Sequence, residues 1–249
     1  MRSAIFKSLS TFALLIFWPL FAPAAEVLEQ TTSVSNRYEY RQLHSPDGIG
    51  KFYLGREIAH VMGHQAAEWL ERPTRDEEEH TELLVDSLRV NPGDTVADIG
   101  AGTGYFSRRL AKKIGSKGLV LAVDIQPEML ELLTNDMARL NITNVKPILG
   151  DIADPKLPPA SVDLVLMVDV YHEFSDPASM MTNIRKALKP DGRVVLVEFR
   201  KEDPKVPIQP LHKMSIQDVR SEIEPLGFKF QKVLAFLPWQ HIIIFTAGK

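Results

Sequence analysis

Beyond residue 90 the chain alternates between short apolar runs and stretches whose apolar residues recur at helical spacing. Thr95 to Ile99, Leu119 to Ile125, Val145 to Leu149 and Val162 to Val170 read as strands, Leu119 to Ile125 of the buried type and Val162 to Val170 strongly apolar. Between them, Phe106, Leu110 and Ile114 share one helical face, and Met129, Leu133, Met137 and Leu140 share another. Pro127 and Pro177 stand at first helical positions, and Asp176 caps the helix expected over Pro177 to Leu188. Arg193 to Phe199 reads as a further strand and Ser215 to Pro225 as a capped helix. Phe228 to Leu234 and Gln240 to Thr246 form a closing strand pair. Strands alternating with helices predict an α/β fold. Its sheet is doubly wound, mostly parallel and covered on both faces, with an antiparallel C-terminal strand pair at one edge.

The pattern upstream is different. Glu26 to Gly50 is polar and lacks a period, apart from one short element expected around Tyr38 to Leu43. In Phe52 to Leu70, Ile58, Met62, Ala66 and Leu70 fall on one helical face, so a helix is expected that ends at Pro73. Thr74 and Glu77 have capping-box spacing and open an expected acidic helix to about Leu88. Residues 25–80 thus read as a linker with a helical N-terminal extension, and residues 81–249 as the main domain. Residues 1–24 have the layout of a signal peptide: Arg2 and Lys7, an apolar run from Leu9 to Phe21, then Ala22-Pro23-Ala24. Cleavage after Ala24 and export to the periplasm or medium are expected. The run is short for a membrane span, which needs about 20 residues, so no stable span is expected after processing. An uncleaved N-terminal anchor is the alternative.

Composition narrows the chemistry. The formal net charge of −3 argues against a nucleic-acid partner. There is no cysteine, so no disulfide, thiolate nucleophile or thiolate metal site exists.

Candidate chemistry centres on Thr95 to Ile114. An apolar run ends in Asp98-Ile99, then Gly100, Ala101, Gly102, Thr103 and Gly104 make a turn, and Tyr105 begins a helix. Glycines let a ligand approach the backbone, and the helix N-terminus behind them offers free N–H groups. The dinucleotide pattern G-x-G-x-x-G is not met, because Tyr105 stands where its last glycine belongs. No Gly-Lys-Ser/Thr follows either, which excludes a phosphate-binding P-loop.

Ligands on such sheets bind outside the carboxyl ends of the strands. Asp98, Asp124, Asp151, Asp169 and Glu198 are the acids at those ends. Asp124 follows the glycine turn by about 20 residues, where a carboxylate accepts ribose hydroxyls in dinucleotide sites.

The stretch Val96-Ala-Asp-Ile-Gly-Ala-Gly-Thr-Gly-Tyr-Phe-Ser107 resembles motif I of the class I S-adenosylmethionine (SAM) dependent methyltransferases, and the element pattern from Glu82 onward resembles their seven-stranded fold. The resemblance implies SAM as cofactor. The glycine loop would face its methionine half, Asp98 its ammonium and Asp124 its ribose. Asp151 and Ile152 would meet the adenine, with Ile125 packing on the ring. Asp169-Val170-Tyr171-His172-Glu173 would border the transferred methyl group. His172 is the candidate general base, flanked by Tyr171 and Glu173, because an imidazole titrates near neutrality. Candidate acceptor contacts are Tyr53, Arg56 and His64 on the expected lid helix, with Glu198, Arg200, His212 and Lys213 around a proline-rich loop.

No metal site is assigned. His60 and His64 lack a third ligand, and Asp169 lacks the later Asp-Asn pair of catechol-type enzymes. The expected reaction is in-line methyl transfer to a small-molecule acceptor. An NAD(P)-dependent reductase and a non-catalytic exported binding protein are the alternatives.

Overall fold

Two sheets organise residues 37–248, the part of the chain that the computed structural model describes. The expected export signal, its cleavage point and most of the linker lie outside the described residues.

The first sheet is small. β1 (Tyr38–Tyr40), β2 (Gly48–Tyr53) and β3 (Arg56–Ala59) form an antiparallel meander in that order. This corrects the helix expected over Phe52 to Leu70. Leu54 and Gly55 both take positive φ, 50° and 88°, and turn the chain so that Tyr53 pairs with Arg56. A two-residue turn of that kind makes a hairpin. Helical structure survives only in a turn at His64–Ala66 and in α1 (Ala67–Leu70). The expected capping box at Thr74 is also absent. Thr74 Oγ1 donates to Glu78 Oε1 at 2.7 Å and caps no backbone N–H. The acidic helix breaks at His80, whose φ of 53° separates α2 (Arg75–Glu79) from α3 (Thr81–Ser87).

The second sheet follows the sequence pattern closely. Its elements are β4 (Thr95–Ile99), α4 (Tyr105–Ile114), β5 (Leu119–Asp124), α5 (Pro127–Arg139), β6 (Val145–Leu149), β7 (Val162–Val168), α6 (Pro177–Ala187), β8 (Leu188–Arg200), β9 (Lys213–Met214), α7 (Ile216–Ile223), β10 (Phe228–Leu234) and β11 (Gln240–Ala247). The strand order is β10-β11-β8-β7-β4-β5-β6, with the two-residue β9 beside β8. β6, β5, β4, β7 and β8 run parallel, and β11 and β10 close the edge antiparallel.

Alternate residues of the central strands serve the two faces. Ala97 and Ile99 pack with Met181 and Ile184 of α6 and Val219 of α7, whereas Val96, Val120 and Leu164 pack with Leu110 and Ile114 of α4. Asp176 caps α6 through Ser179 N, and Ser215 with Asp218 forms a capping box on α7. Leu140, expected to point inward, lies just past α5 and is 41% exposed. No helix among the described residues is long and apolar enough to cross a membrane.

The order reverses at β4. The chain moves from β4 out to β5 and β6, then returns to β7 and β8 on the other side. The crevice above that reversal is where open α/β sheets bind ligands.

Candidate active site

The glycine turn after β4 needs its glycines. Gly100, Gly102 and Gly104 all have positive φ, at 70°, 53° and 86°. A Cβ on Gly100 would lie 2.4 Å from Val170 Cγ2. The N–H groups of Gly100 and Ala101 donate to Val123 O at 2.8 and 3.0 Å, which folds the turn back over β5. Asp124, at the end of β5, accepts from Gly102 N and Gln126 N, each at 2.9 Å. Its carboxylate keeps lone pairs for further donors.

Beside this turn a cavity of about 710 Å³ runs along the carboxyl ends of the strands. Gly100, Gly102, Asp124, Ile125, Ile152 and Asp169 line it, as do His172, Glu173, His212 and Lys213. The other candidates from the glycine turn do not. Ala101 packs on Leu133 and Met137, and Thr103 Oγ1 donates to Glu71 Oε1 at 2.6 Å. Gly104 is the N-cap of α4. Tyr105 stacks under Arg75, Arg108 and Arg109, which explains why an aromatic stands there: it ties α2 to α4. Asp151 is exposed and accepts from the N–H of Ile152 at 2.6 Å.

Asp98 lies beneath the turn, 3% exposed, and accepts from Ser107 Oγ at 2.6 Å. Burial pushes its carboxyl up to about 6, with the Ser107 hydrogen bond opposing and the Asp124 charge adding. A folded-state value above the ordinary 3.8 contributes stability that is full below pH 3.8 and is lost as pH rises through 6. Asp98→Asn should therefore flatten the pH dependence of unfolding between pH 4 and 7. The expected difference from wild type is on the order of 2–3 kcal/mol over that range. Identical pH slopes in urea melts of the two proteins would show that Asp98 is not the titrating group.

Asp169 carries the strongest request for a donor. It sits at positive φ, 53°, just beyond β7. Its Oδ2 accepts from Gln240 Nε2 at 3.2 Å, while its buried Oδ1 and Gln240 Oε1 find no hydrogen-bond partner among the described residues. Burial, then the charges of Glu79 and Glu198, pushes its carboxyl well above the usual range, with Arg75 opposing. An acidic floor with unused acceptors suits a ligand that brings a cation and N–H donors.

Sequence reasoning missed the residues that cover the cavity. Met62, Trp69, Leu70, Arg75 and Glu79 line it, and Trp69, read from sequence as core, is 48% exposed. Gln126 holds this cover, accepting from His64 N and donating to Met62 O, both at 2.9 Å. Glu173 Oε1 accepts from Met62 N at 3.1 Å. A cover over the cavity is thus present, but in place of a helix bearing Tyr53, Arg56 and His64 it is an irregular segment anchored from below. The three expected residues face elsewhere. Tyr53 is fully buried on β2 and stacks on Tyr38 at 5.1 Å. Arg56 forms a bidentate pair with Glu222 of α7, at 2.7 and 2.9 Å, and donates to His172 O at 3.2 Å. The His64 ring lies 3.9 Å from Glu128, outside the cavity lining.

Two acceptor candidates are corrected likewise. Arg200 donates to the carbonyls of Pro238, Leu237 and Ala235, so it ties down the β10–β11 connection. Glu198 is fully buried behind His172, accepting from Tyr171 N at 3.0 Å and lying 2.6 Å from His172 Nδ1. Lys213 lines the cavity, but its Nζ donates to Val206 O at 2.5 Å.

His172 is 1% exposed, and both ring nitrogens are engaged. Nδ1 meets Glu198, and Nε2 lies 3.0 Å from His212 Nδ1. The imidazole expected from sequence to stand alone is therefore linked to a second one. Burial lowers the His172 imidazolium most, but the charge and hydrogen bond of Glu198, with the charge of Glu173, together outweigh it and the net shift is upward. Burial and the neighbouring His172 push His212 down. Burial pushes Glu173 up to about 7. Tyr171, fully buried, packs edge-on to Phe174 beneath this loop, outside the cavity lining.

Comparisons with known proteins agree with this geometry. Residues 90–234 match the family described as a methyltransferase domain. Demethylmenaquinone methyltransferase of Tropheryma whipplei is 30% identical over 139 residues, 56% of this chain and 55% of that protein. Nocamycin O-methyltransferase of Saccharothrix syringae is 31% identical over 113 residues, 45% of this chain and 40% of that protein. The chain thus spans about half, or less, of the length of such curated relatives. In fold, it is similar to a SAM-dependent methyltransferase from Aquifex aeolicus, with a TM-score of 0.71 at 24% identity, covering 75% of this chain and all of that one. With the matched domain spanning 90–234, the glycine turn and the seven-strand order included, the chain belongs to the class I SAM-dependent methyltransferase family.

Proposed function

We propose that the protein transfers a methyl group from SAM to a small-molecule acceptor by in-line attack of an acceptor atom. The observation that carries this reading is the acidic floor of the cavity, where buried Asp169 Oδ1 has an unused acceptor site beside the glycine turn and Asp124. SAM, when bound, supplies an electrophilic methyl on a sulfonium and an ammonium whose charge those acids match. Gly100 and Gly102 let a ligand reach the backbone. Asp124 has lone pairs for two ribose hydroxyls. Ile125 and Ile152, 40% and 54% exposed, offer apolar surface to a flat ring. The cover built on Met62, Trp69 and the Pro204–Pro210 loop excludes water from the reacting atoms and holds them in line.

The cavity volume supports a small acceptor, since sites for such ligands measure about 300–1,000 Å³. The names of the Tropheryma and Saccharothrix relatives, which refer to small organic acceptors, support the same class.

Calorimetric titration should show SAM binding and no NADPH binding. Asp124→Ala should weaken SAM roughly 5- to 150-fold, the loss of about 1–3 kcal/mol of hydrogen bonding. Unchanged affinity would remove Asp124 from the site. Methyl-labelled SAM should pass its label into the small-molecule fraction of a cell extract. Tight SAM binding with no label transferred to any fraction would make this a binding protein.

A further inference from the structure

The loop after β7 and the segment before β9 bring three ligand-type side chains together. His172 Nε2, His212 Nδ1 and a Glu173 carboxylate oxygen all lie within 4.8 Å of one another. All three residues line the cavity. We propose that they form a site for a divalent transition-metal ion, with an open coordination position facing the acceptor.

The hydrogen bonds at the outer sides of the rings carry the argument. His172 Nδ1 is 2.6 Å from Glu198 Oε2, and His212 Nε2 is 3.4 Å from Asp47 Oδ1. Carboxylates accept, so each outer nitrogen carries the proton. In the neutral tautomers the two inner nitrogens then present lone pairs to each other across 3.0 Å. Facing lone pairs repel, so without a metal a proton on His172 Nε2 bridges to His212 Nδ1, and a bound cation would take the place of that proton. A carboxylate on the far nitrogen of each imidazole is the usual outer shell of a histidine metal site, where it sets the tautomer and raises ligand basicity.

The spacing fits a metal as well. Two nitrogens bound at about 2.1 Å stand about 3.0 Å apart at an octahedral right angle and about 3.4 Å apart at a tetrahedral one, so the pair is already within a few tenths of an ångström of either. Glu173 Oε1 is 3.7 Å from His212 Nδ1, so a small rotation of its carboxylate completes the set. That oxygen also accepts from Met62 N, and it has a second lone pair. Two imidazoles and one carboxylate select transition ions such as Zn²⁺ or Fe²⁺ over Mg²⁺ or Ca²⁺. Three protein ligands leave a position free, as catalytic metal sites do.

The substrate class follows, and this step rests on the methyl-transfer reading above. An acceptor O–H or S–H bound at the open position loses its proton to water, because the metal stabilises the anion. Its lone pair forms the bond to the methyl carbon, and the carbon–sulfur bond of the sulfonium breaks with its electron pair left on sulfur. Nothing is oxidised or reduced. The acceptor is then a molecule with an ionisable hydroxyl or thiol.

The test uses the untagged full chain, stripped with a chelator and titrated with Co²⁺ followed by absorption, then with Zn²⁺ in competition. One equivalent of Co²⁺ should bind with visible ligand-field bands. His212→Ala should weaken it roughly 100-fold or more, and Asp47→Asn about 10-fold, as loss of an outer carboxylate does. Glu173→Gln is the second variant and decides the matter if His212→Ala melts abnormally. SAM affinity, measured separately, should stay within about twofold in Asp47→Asn, whose carboxylate lies outside the cavity lining. Absent stoichiometric Co²⁺ binding, or equal affinity in the wild type and the ligand variants, would overturn the site. If Co²⁺ binds as expected and SAM does not, the metal site stands and the methyl-transfer reading falls.

Discussion

Arg56→Met should lower stability by about 3–5 kcal/mol, which is the usual result of removing one partner of a buried ion pair. Arg56 and Glu222 expose only 10% and 3% of their side chains. Their bidentate contact ties the hairpin after β2 to α7, and Arg56 also donates to the backbone carbonyl of His172. Methionine keeps an unbranched apolar stem in place of the arginine's but leaves the Glu222 carboxylate buried without its cation. For a chain of this size the melting temperature should fall by roughly 6–20 °C. The paired variant Arg56→Met/Glu222→Leu should recover most of that loss, because neither charge is then stranded. Differential scanning calorimetry of the three proteins checks this. A single variant within 1 kcal/mol of wild type would mean that water reaches the pair, contrary to the packing.

Gly100→Ala should cost about 2–4 kcal/mol and abolish measurable SAM binding. The backbone there has φ of 70°, where an alanine pays about 1–2 kcal/mol. The new methyl would also stand 2.4 Å from Val170 Cγ2, a β-branched side chain with little freedom to move. Relief by backbone shift would break the 2.8 Å bond from Gly100 N to Val123 O that folds the turn over β5. Gly115→Ala is the control, since that glycine also has positive φ but meets nothing within 4 Å. It should lose only the conformational share and keep SAM affinity. Equal effects of the two substitutions in melting and titration would show that contact with Val170 contributes nothing.

Much of the domain was legible because its signals are local. The runs of β4, β5 and β7 are largely apolar, as strands buried on both faces must be, whereas β6, at the sheet edge, carries Lys146 and Pro147 and is mostly exposed. Phe106, Leu110 and Ile114 repeat at helical spacing, and all three are buried in the predicted sense. The glycine turn, Asp124 and Asp169 follow from strand ends, since a parallel sheet places all those ends on one side.

The N-terminal region was not legible, for an equally physical reason. Ile58, Met62, Ala66 and Leu70 keep helical spacing, yet Leu54-Gly55 makes a hairpin turn and β3 gains partners from β2 that the periodicity cannot register. Arg75-Asp-Glu-Glu-Glu79 falls in the expected acidic helix, whose pattern gives no sign that Arg75 and Glu79 are buried, 5% and 3% exposed and paired at 3.1 Å.

By itself, then, the sequence determined the order of strands and helices beyond residue 90, the glycine turn and the acids at the strand ends, because each depends on neighbours in the chain or on the shared direction of the strands. Only the tertiary structure decided what covers the cavity and what His172 meets. Those answers depend on residues far apart in the chain, such as His172 with His212 and Arg56 with Glu222, which no local pattern pairs.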